Sequence, residues 1–336
     1  MKNSKYIRNS IIWNQIISIC EEQANVLLKV AFGALVREAG DISAGIFNNK
    51  GKMLAQAVTG TPGHVNTMAE AVPKFLKIIA PENLRKGDAL ITNDPWIGAG
   101  HIFDFVVVSP IFFKNKIIGY FASTCHVVDV GGIGWSAEGK SFFEEGILIP
   151  VSFLRKKKSI NESLLKIITA NSRVPNEARG DVLSLMSCND AGINRLIDLL
   201  KENSLTNLSE TSKFIFDQSR ISMKKIISEL KKGIFKNKTQ LDGYDTPINL
   251  EAELEITDKN ILINLDKSSK ATSRGINCPI NYSVAYASYG VKAAIAPEIP
   301  NNSATLSFIK VKAPSGLIVS AIKPSPVTAR HVVGQA

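Results

Sequence analysis

No stretch of this sequence is apolar enough for long enough to cross a bilayer, which takes about 20 consecutive apolar residues, so no membrane role is expected. The opening MKNSKYIRNSIIWNQIISICEE sets basic residues before an apolar run. Asn14 and Gln15 interrupt that run and no small-residue cleavage site follows, so a secretory signal is not expected either and the chain reads as cytoplasmic. Cysteine is sparse: Cys20, Cys125, Cys188 and Cys278 are scattered without a C-x-x-C pair, which excludes a disulfide scaffold and fits reduced thiols. Neither G-x-G-x-x-G nor a G-x-x-x-x-G-K-S/T loop occurs, so nucleotide binding by this chain is not expected. The formal charge of +10 rests on short runs such as Arg155-Lys156-Lys157-Lys158 and Lys231-Lys232. Neither is interleaved with aromatics, and both read as solvated surface rather than a nucleic-acid footprint.

What is present suits a large globular chain: 45% hydrophobic content over 336 residues supports sizeable cores and about two domains. Apolar residues at helical spacing from Asn9 to Glu38, with Gly40 as a stop, predict one long helix. Asp41 to Ala57 predicts a hairpin around Asn48-Asn49-Lys50-Gly51, and a helix is expected from Asn66 to Ala80. Strands are expected at Ala89–Thr92, Phe105–Phe113 and Ile117–Thr124, and helices at Glu162–Thr169, Asn176–Glu202 and Leu208–Lys232. After Gly233 the pattern turns to strands, at Ile248–Ile256, Ile261–Leu265, Ala304–Lys312 and Leu317–Ala321. The fold class is therefore α+β (mixed α/β), with a first region over 1–235, which contains two His-x-x-Asp motifs, and a strand-rich second region over 236–336.

With only four histidines in the chain, their positions carry information. His-x-x-Asp occurs twice, as His101 with Asp104 and His126 with Asp129. Residues three apart on one strand face opposite ways, so neither motif alone builds a site. A hairpin with its turn centred on Asn115 puts Asp104 across from His126 and His101 across from Asp129, with opposed Cβ atoms about 4.5–5.5 Å apart on a shared face. Gly98-Ala99-Gly100 and Gly131-Gly132 flank the cluster and let the chains leave regular pairing. Two imidazoles and one or two carboxylates suit Mn, Fe or Zn; the alternative is a cross-strand hydrogen-bonded pair with His101 capping a loop. Asp94, in Asn93-Asp94-Pro95-Trp96, is either a turn former or a ligand contact. His64 before the expected helix either caps it or lies where an anion would be held. Glu144-Glu145-Gly146 supplies a base or a charged bend. Cys125 faces away from His126 and is not expected to be a nucleophile.

The segments MLAQAVTGTPGHVNTMAEAV, GDALITNDPWIGAGHIFDFVVVSPIF, HVVDVGGIG, FFEEGILIP, NSRVPNEARGDV, RGINCPINYSVAYA and PSPVTARHV run nearly the length of the chain. In that order they resemble the hydantoinase B/oxoprolinase family. Its members include B-type subunits of ATP-dependent N-methylhydantoinases, the corresponding part of 5-oxoprolinases, and acetone carboxylase alpha subunits. The resemblance implies a subunit of an ATP-dependent cyclic-amide hydrolase whose A-type ATPase partner binds the ATP; the alternative is a ketone carboxylase. It implies a divalent metal on His101, Asp104 and His126. Beside that set, Asp129 is expected to orient a ligand or join the metal, and Asp94 and His64 are expected to contact substrate. Two departures stand out. Val127 replaces the second His of the relatives' His-His-x-Asp-x-Gly-Gly, and relatives continue past PVTARHV whereas this sequence stops at Ala336. The strand-rich part is accordingly expected to be incomplete. Either a separate chain supplies the rest, or the chain is inactive and keeps only an interaction role.

Overall fold

A computed structural model describes residues 2–336. In chain order its first part comprises α1 (Lys2–Val30), α2 (Ala34–Arg37), β1 (Ile42–Asn48), β2 (Met53–Gln56), α3 (Pro62–Ile78), β3 (Ala89–Thr92), β4 (Asp104–Phe113) and β5 (Lys116–His126). β6 (Ser152–Lys156), β7 (Ser159–Ile160), α4 (Glu162–Ala170), α5 (Pro175–Glu202) and α6 (Ser209–Glu229) follow. The rest holds β8 (Gly233–Leu241), β9 (Ile248–Ile256), β10 (Ile261–Asn264), α7 (Ile280–Ile295), α8 (Ser303–Leu306), β11 (Ile309–Lys312) and α9 (His331–Gly334). The fold is mixed α/β with two sheets, as expected. One has seven strands in the order β2-β1-β5-β4-β3-β6-β7, and the other has four in the order β11-β10-β9-β8. None of the described helices is long and apolar enough to cross a membrane.

Strand alternation decides how the large sheet is covered. Phe105, Val107 and Ile111 of β4, with Phe121 and Cys125 of β5, face Ile12, Ile16 and Leu27 of α1 and Val182, Leu185 and Leu196 of α5. The intervening Val106, Val108, Tyr120 and Ala122 face Met68, Val72 and Phe75 of α3. Each such fully buried side chain contributes about 1.5–3 kcal/mol, so both faces of this central hairpin are fixed by packing. α7 lies on the outer side of α3, where the rings of Tyr282 and Tyr286 would both stand 2.7 Å from a Cβ at Gly63. That contact ties the second half of the chain to the first.

The β4–β5 turn is tighter than expected. Lys114 and Asn115 take φ of 47° and 62°, as a two-residue hairpin turn requires, so the turn is not centred on Asn115. A bulge at Ile118, between the pairs Ile111↔Gly119 and Phe112↔Ile117, absorbs the difference, and Asp104 does stand across from His126.

Three expectations are corrected. The first helix breaks at 31–33 because the Phe32 and Gly33 amides donate to Asp181 Oδ1 at 2.7 and 3.0 Å instead of continuing the helical ladder. The expected strand at Ala304–Lys312 starts as helix α8, since the Asn302 side chain accepts from the Ala304 and Thr305 amides; only Ile309–Lys312 is extended. Leu317–Ala321 makes a single bridge, Lys270↔Leu317, rather than a strand. Helix α7 has no counterpart among the expected elements. Its Asn, Ser and Tyr residues are indifferent helix formers, and burial of Tyr282, Ala285 and Ser288 stabilises it instead.

β1 approaches β5 so closely that a Cβ on Gly119 would stand 2.3 Å from the Phe47 carbonyl oxygen. Gly119→Ala is expected to cost roughly 1–3 kcal/mol through the forced shift of β1. A urea midpoint equal to wild type would show that β1 moves freely.

Candidate metal centre

Three adjacent strands deliver the core of the site. The pairing Ile42↔Cys125 carries on to place Asp41 beside His126, and the His126 amide donates to the Asp41 carbonyl at 3.3 Å. On its other side His126 pairs with Asp104. By alternation Asp41, His126 and Asp104 all share the face on which α3 packs. That helix begins at Pro62, four residues earlier than expected, so His64 sits inside its first turn. The imidazole faces the strand carboxylates rather than standing ahead of the helix.

Asp104 is wholly buried. Its Oδ2 accepts from His64 Nε2 at 2.8 Å and from Arg330 Nη2 at 2.5 Å. Its Oδ1 lies 2.7 Å from His101 Nε2 and 3.5 Å from His126 Nδ1. His101 Nδ1 lies 2.9 Å from the Thr328 carbonyl oxygen, which only an Nδ1–H can satisfy, so the neutral ring presents Nε2 as a lone pair. Despite their short separation, His101 Nε2 and Asp104 Oδ1 have no hydrogen-bond partner among the described residues. Asp41 closes the other side, its Oδ2 3.7 Å from His126 Nδ1 and its Oδ1 3.4 Å from His64 Nδ1.

Burial opposes ionisation of Asp104, but the neighbouring His64 and Arg330 outweigh it and hold the carboxyl well below its usual range. Burial and then Arg330 push His101 down to about 3, which keeps the ring neutral. For His64 burial is overcome by Asp104 and Asp41, and its value rises.

Ligand atoms of His101, Asp104 and His126 lie within 4.8 Å of one another, as do those of Asp41, His64 and Asp104. The first trio fits a divalent cation better. It joins two orphaned, buried lone pairs to a nearby imidazole nitrogen, whereas in the second Asp104 Oδ2 is already engaged by two donors.

The remaining expected residues lie apart from this cluster. The expected His101–Asp129 pairing does not form, because β5 ends at His126 and the Val127 amide turns to the Phe103 carbonyl. Asp129 Oδ1 instead takes Arg173 Nη2 at 2.7 Å, and its Oδ2 takes the Arg173 amide. Asp94 Oδ1 accepts the Trp96 amide at 2.9 Å in the turn that starts the His101 loop, and its Oδ2 is 3.8 Å from Lys323 Nζ. Three groups at the site were not singled out from the sequence: Asp41, Arg330 and His331. The His331 ring centre is 5.4 Å from Trp135, whose ring is 5.0 Å from His126. All four histidines of the chain thus converge here. Asp41 carries a local signal, since it immediately precedes the strand that pairs with β5, but Arg330 lies 226 residues from its partner.

Asp104→Asn would leave Arg330 buried without a counter-charge and is expected to cost about 3–5 kcal/mol in the metal-free chain. Because the folded-state value lies below the ordinary 3.8, Asp104 contributes in full above that pH, and its contribution is lost as pH falls through the folded value. Urea titrations should therefore show the gap between wild type and variant narrowing in acid. A gap that stays constant with pH would mean that Asp104 is not held ionised by these cations.

The Hydantoinase B/oxoprolinase family pattern matches residues 5–336. The chain is 30% identical over 319 residues to an uncharacterized protein of Methanocaldococcus jannaschii, covering 94% of this chain and 56% of that one. It is 23% identical to a putative B-type D-/L-hydantoinase component of a Pseudomonas species, named as one subunit of that enzyme, covering 100% of this chain and 60% of the relative. It therefore spans somewhat more than half the length of these relatives. Among solved structures, an ATP-dependent caprolactamase from Pseudomonas jessenii superposes with a TM-score of 0.86 at 20% identity, over 98% of this chain and 60% of that one. An acetone carboxylase without nucleotide superposes at 0.87 and 16% identity, over 96% and 46%. At these identities the superpositions establish the fold. With the family pattern spanning nearly every residue, the chain belongs to the hydantoinase B/oxoprolinase family.

Proposed function

We propose that this chain is the B-type component of an ATP-dependent cyclic-amide hydrolase. In this reading a divalent metal is held by His101, Asp104 and His126, and ATP is bound by an A-type partner. The observation that carries it is the convergence of two unpartnered, buried lone pairs, His101 Nε2 and Asp104 Oδ1, beside His126 Nδ1. Family membership supports the reaction class, and the hydantoinase relative's designation as one subunit of an enzyme supports the partner.

When bound, Mn, Fe or Zn would polarise a carbonyl or phosphoryl oxygen or lower the pKa of a water. The protein's own groups prepare for this. Arg330 and His64 fix the Asp104 carboxylate through Oδ2 and leave Oδ1 aimed inward. The Thr328 carbonyl sets the His101 tautomer. Asp41, a quarter exposed through its side chain, is the most accessible carboxylate of the cluster and the best placed to accept a proton from substrate or water. His64, between Asp41 and Asp104, holds the two carboxylates in their relative positions. Trp135 packs against His126, and His331 against Trp135. Asp94 shapes the loop that carries His101, and Asp129 anchors the 129–134 loop through Arg173.

Elemental analysis of the purified chain, alone and co-expressed with an A-type partner, should find about one metal per chain. His101→Ala and His126→Ala should lose it while keeping the wild-type far-ultraviolet spectrum. Asp129→Asn should keep it, since that carboxylate faces Arg173. The complex should open a cyclic amide only with ATP. ATP-driven ketone carboxylation without ring opening would assign the carboxylase chemistry instead, and no stoichiometric metal in either preparation would reduce the cluster to a structural ion network.

A further inference from the structure

Glu145 is fully buried, and nothing in the chemistry above uses it. Two backbone approaches put it there. The Ile133 amide donates to the Glu144 carbonyl and the Ile147 amide to the Val130 carbonyl, each at 2.9 Å. A Cβ at Gly132 would stand 2.3 Å from the Glu144 oxygen, and one at Gly146, where φ is +138°, would stand 2.5 Å from the Val130 oxygen. The DVGGIG and FFEEGI segments therefore interlock backbone against backbone, and only glycine permits it at those two positions. At their junction Glu145 Oε1 accepts the consecutive amides of Val327 and Thr328 at 2.6 and 2.7 Å. The Thr328 carbonyl then faces His101 Nδ1 at 2.9 Å.

We propose that Glu145 is a positioning residue for His101: by pinning the Val327 and Thr328 amides it holds the Thr328 carbonyl on Nδ1–H and leaves Nε2 as the lone pair aimed at the metal position. The metal half of this proposal rests on the site assigned above; the tautomer half does not. The arrangement matches a general pattern in which a ligating imidazole is fixed through its other nitrogen, and loss of such support typically costs about 10–100-fold in metal affinity. What the backbone needs from residue 145 is an acceptor oxygen rather than a charge. Burial pushes the Glu145 carboxyl up to about 7, and Oε1 accepts from both amides whether or not Oε2 carries a proton.

The test uses the full chain labelled with ¹⁵N-histidine, with the His101 signals assigned by their loss in His101→Ala. In the metal-free state wild type and Glu145→Gln should both show the Nδ1–H tautomer at His101, and Glu145→Ala should show a mixture or the Nε2–H form. Mn²⁺ titration followed by electron paramagnetic resonance should show Glu145→Ala weakened about 10–100-fold, with Glu145→Gln close to wild type. Rescue by Gln separates positioning through an oxygen from a role of the charge. Should Glu145→Ala not fold, Glu145→Asp, one methylene short of the amides, carries the same comparison. A folded Ala or Asp variant with the wild-type tautomer would overturn the proposal. If wild type binds neither Mn²⁺ nor Zn²⁺, the metal centre fails while the tautomer comparison still decides the role of Glu145.

Discussion

The carboxylate of Asp104 is the charge on which the rest of the site depends. It is buried without access to water, and an isolated ion in that position would be neutralised or excluded. Compensation comes from two separate places: His64 from the first turn of α3 and Arg330 from the segment after Pro326. The two oxygens are not equivalent. Oδ2 is saturated by His64 and Arg330, whereas Oδ1 faces His101 and His126 without a donor. Saturating one oxygen fixes the plane of the carboxylate, and that fixed plane gives the other a direction. A freely rotating carboxylate would present no defined ligand atom.

The large sheet is legible in the sequence because its signals are local. Alternation over Phe105–Phe113 and a short polar turn are enough to place Asp104 across from His126, even though the turn itself lies one half-residue from the expected centre and a bulge at Ile118 restores the pairing. Where the sequence misleads, the deciding partner is distant. The long first helix breaks because an aspartate on α5 takes two of its amides. α7 forms despite the Asn, Ser, Tyr and Gly in its first three turns because α3 supplies the surface it buries against. The expected pairing of His101 with Asp129 follows from extending the hairpin beyond His126, but the strand stops there and Asp129 pairs with Arg173. A periodicity can specify which face a residue takes, but not which residue some 40 or 200 positions away will meet it.

The second half of the chain is joined to the first by polar side chains that reach backbone carbonyls in the site loop. Asn281 Nδ2 donates to the Pro95 and Gly98 carbonyls at 2.9 and 2.6 Å, and Trp96 Nε1 donates to the Ala321 carbonyl at 2.8 Å. Buried backbone acceptors left without such donors would each cost about 1–3 kcal/mol, so the docking of the two halves and the shape of the His101 loop are coupled. The edge strand β8 shows the opposite regime. Ile234 and Phe235 are exposed there, while Lys236 and Lys238 pair with Glu253 and Glu251 along the strand, and charged side chains on an edge discourage further pairing.

This coupling explains why Arg330 must come from so far away. The ligand candidates all belong to the first half of the chain, yet metal binding requires imidazoles that are neutral and a carboxylate that is ionised. Asp104 by itself raises the values of His64 and His101, since either ring could satisfy the buried negative charge by taking a proton. A guanidinium, which stays charged at any physiological pH, satisfies that charge without occupying a ligand position. The same cation repels a proton from His101 and lowers its value. One residue beyond Pro326 therefore helps, with burial, to keep His101 neutral and Asp104 ionised, and their lone pairs are available together when the two halves of the chain are docked.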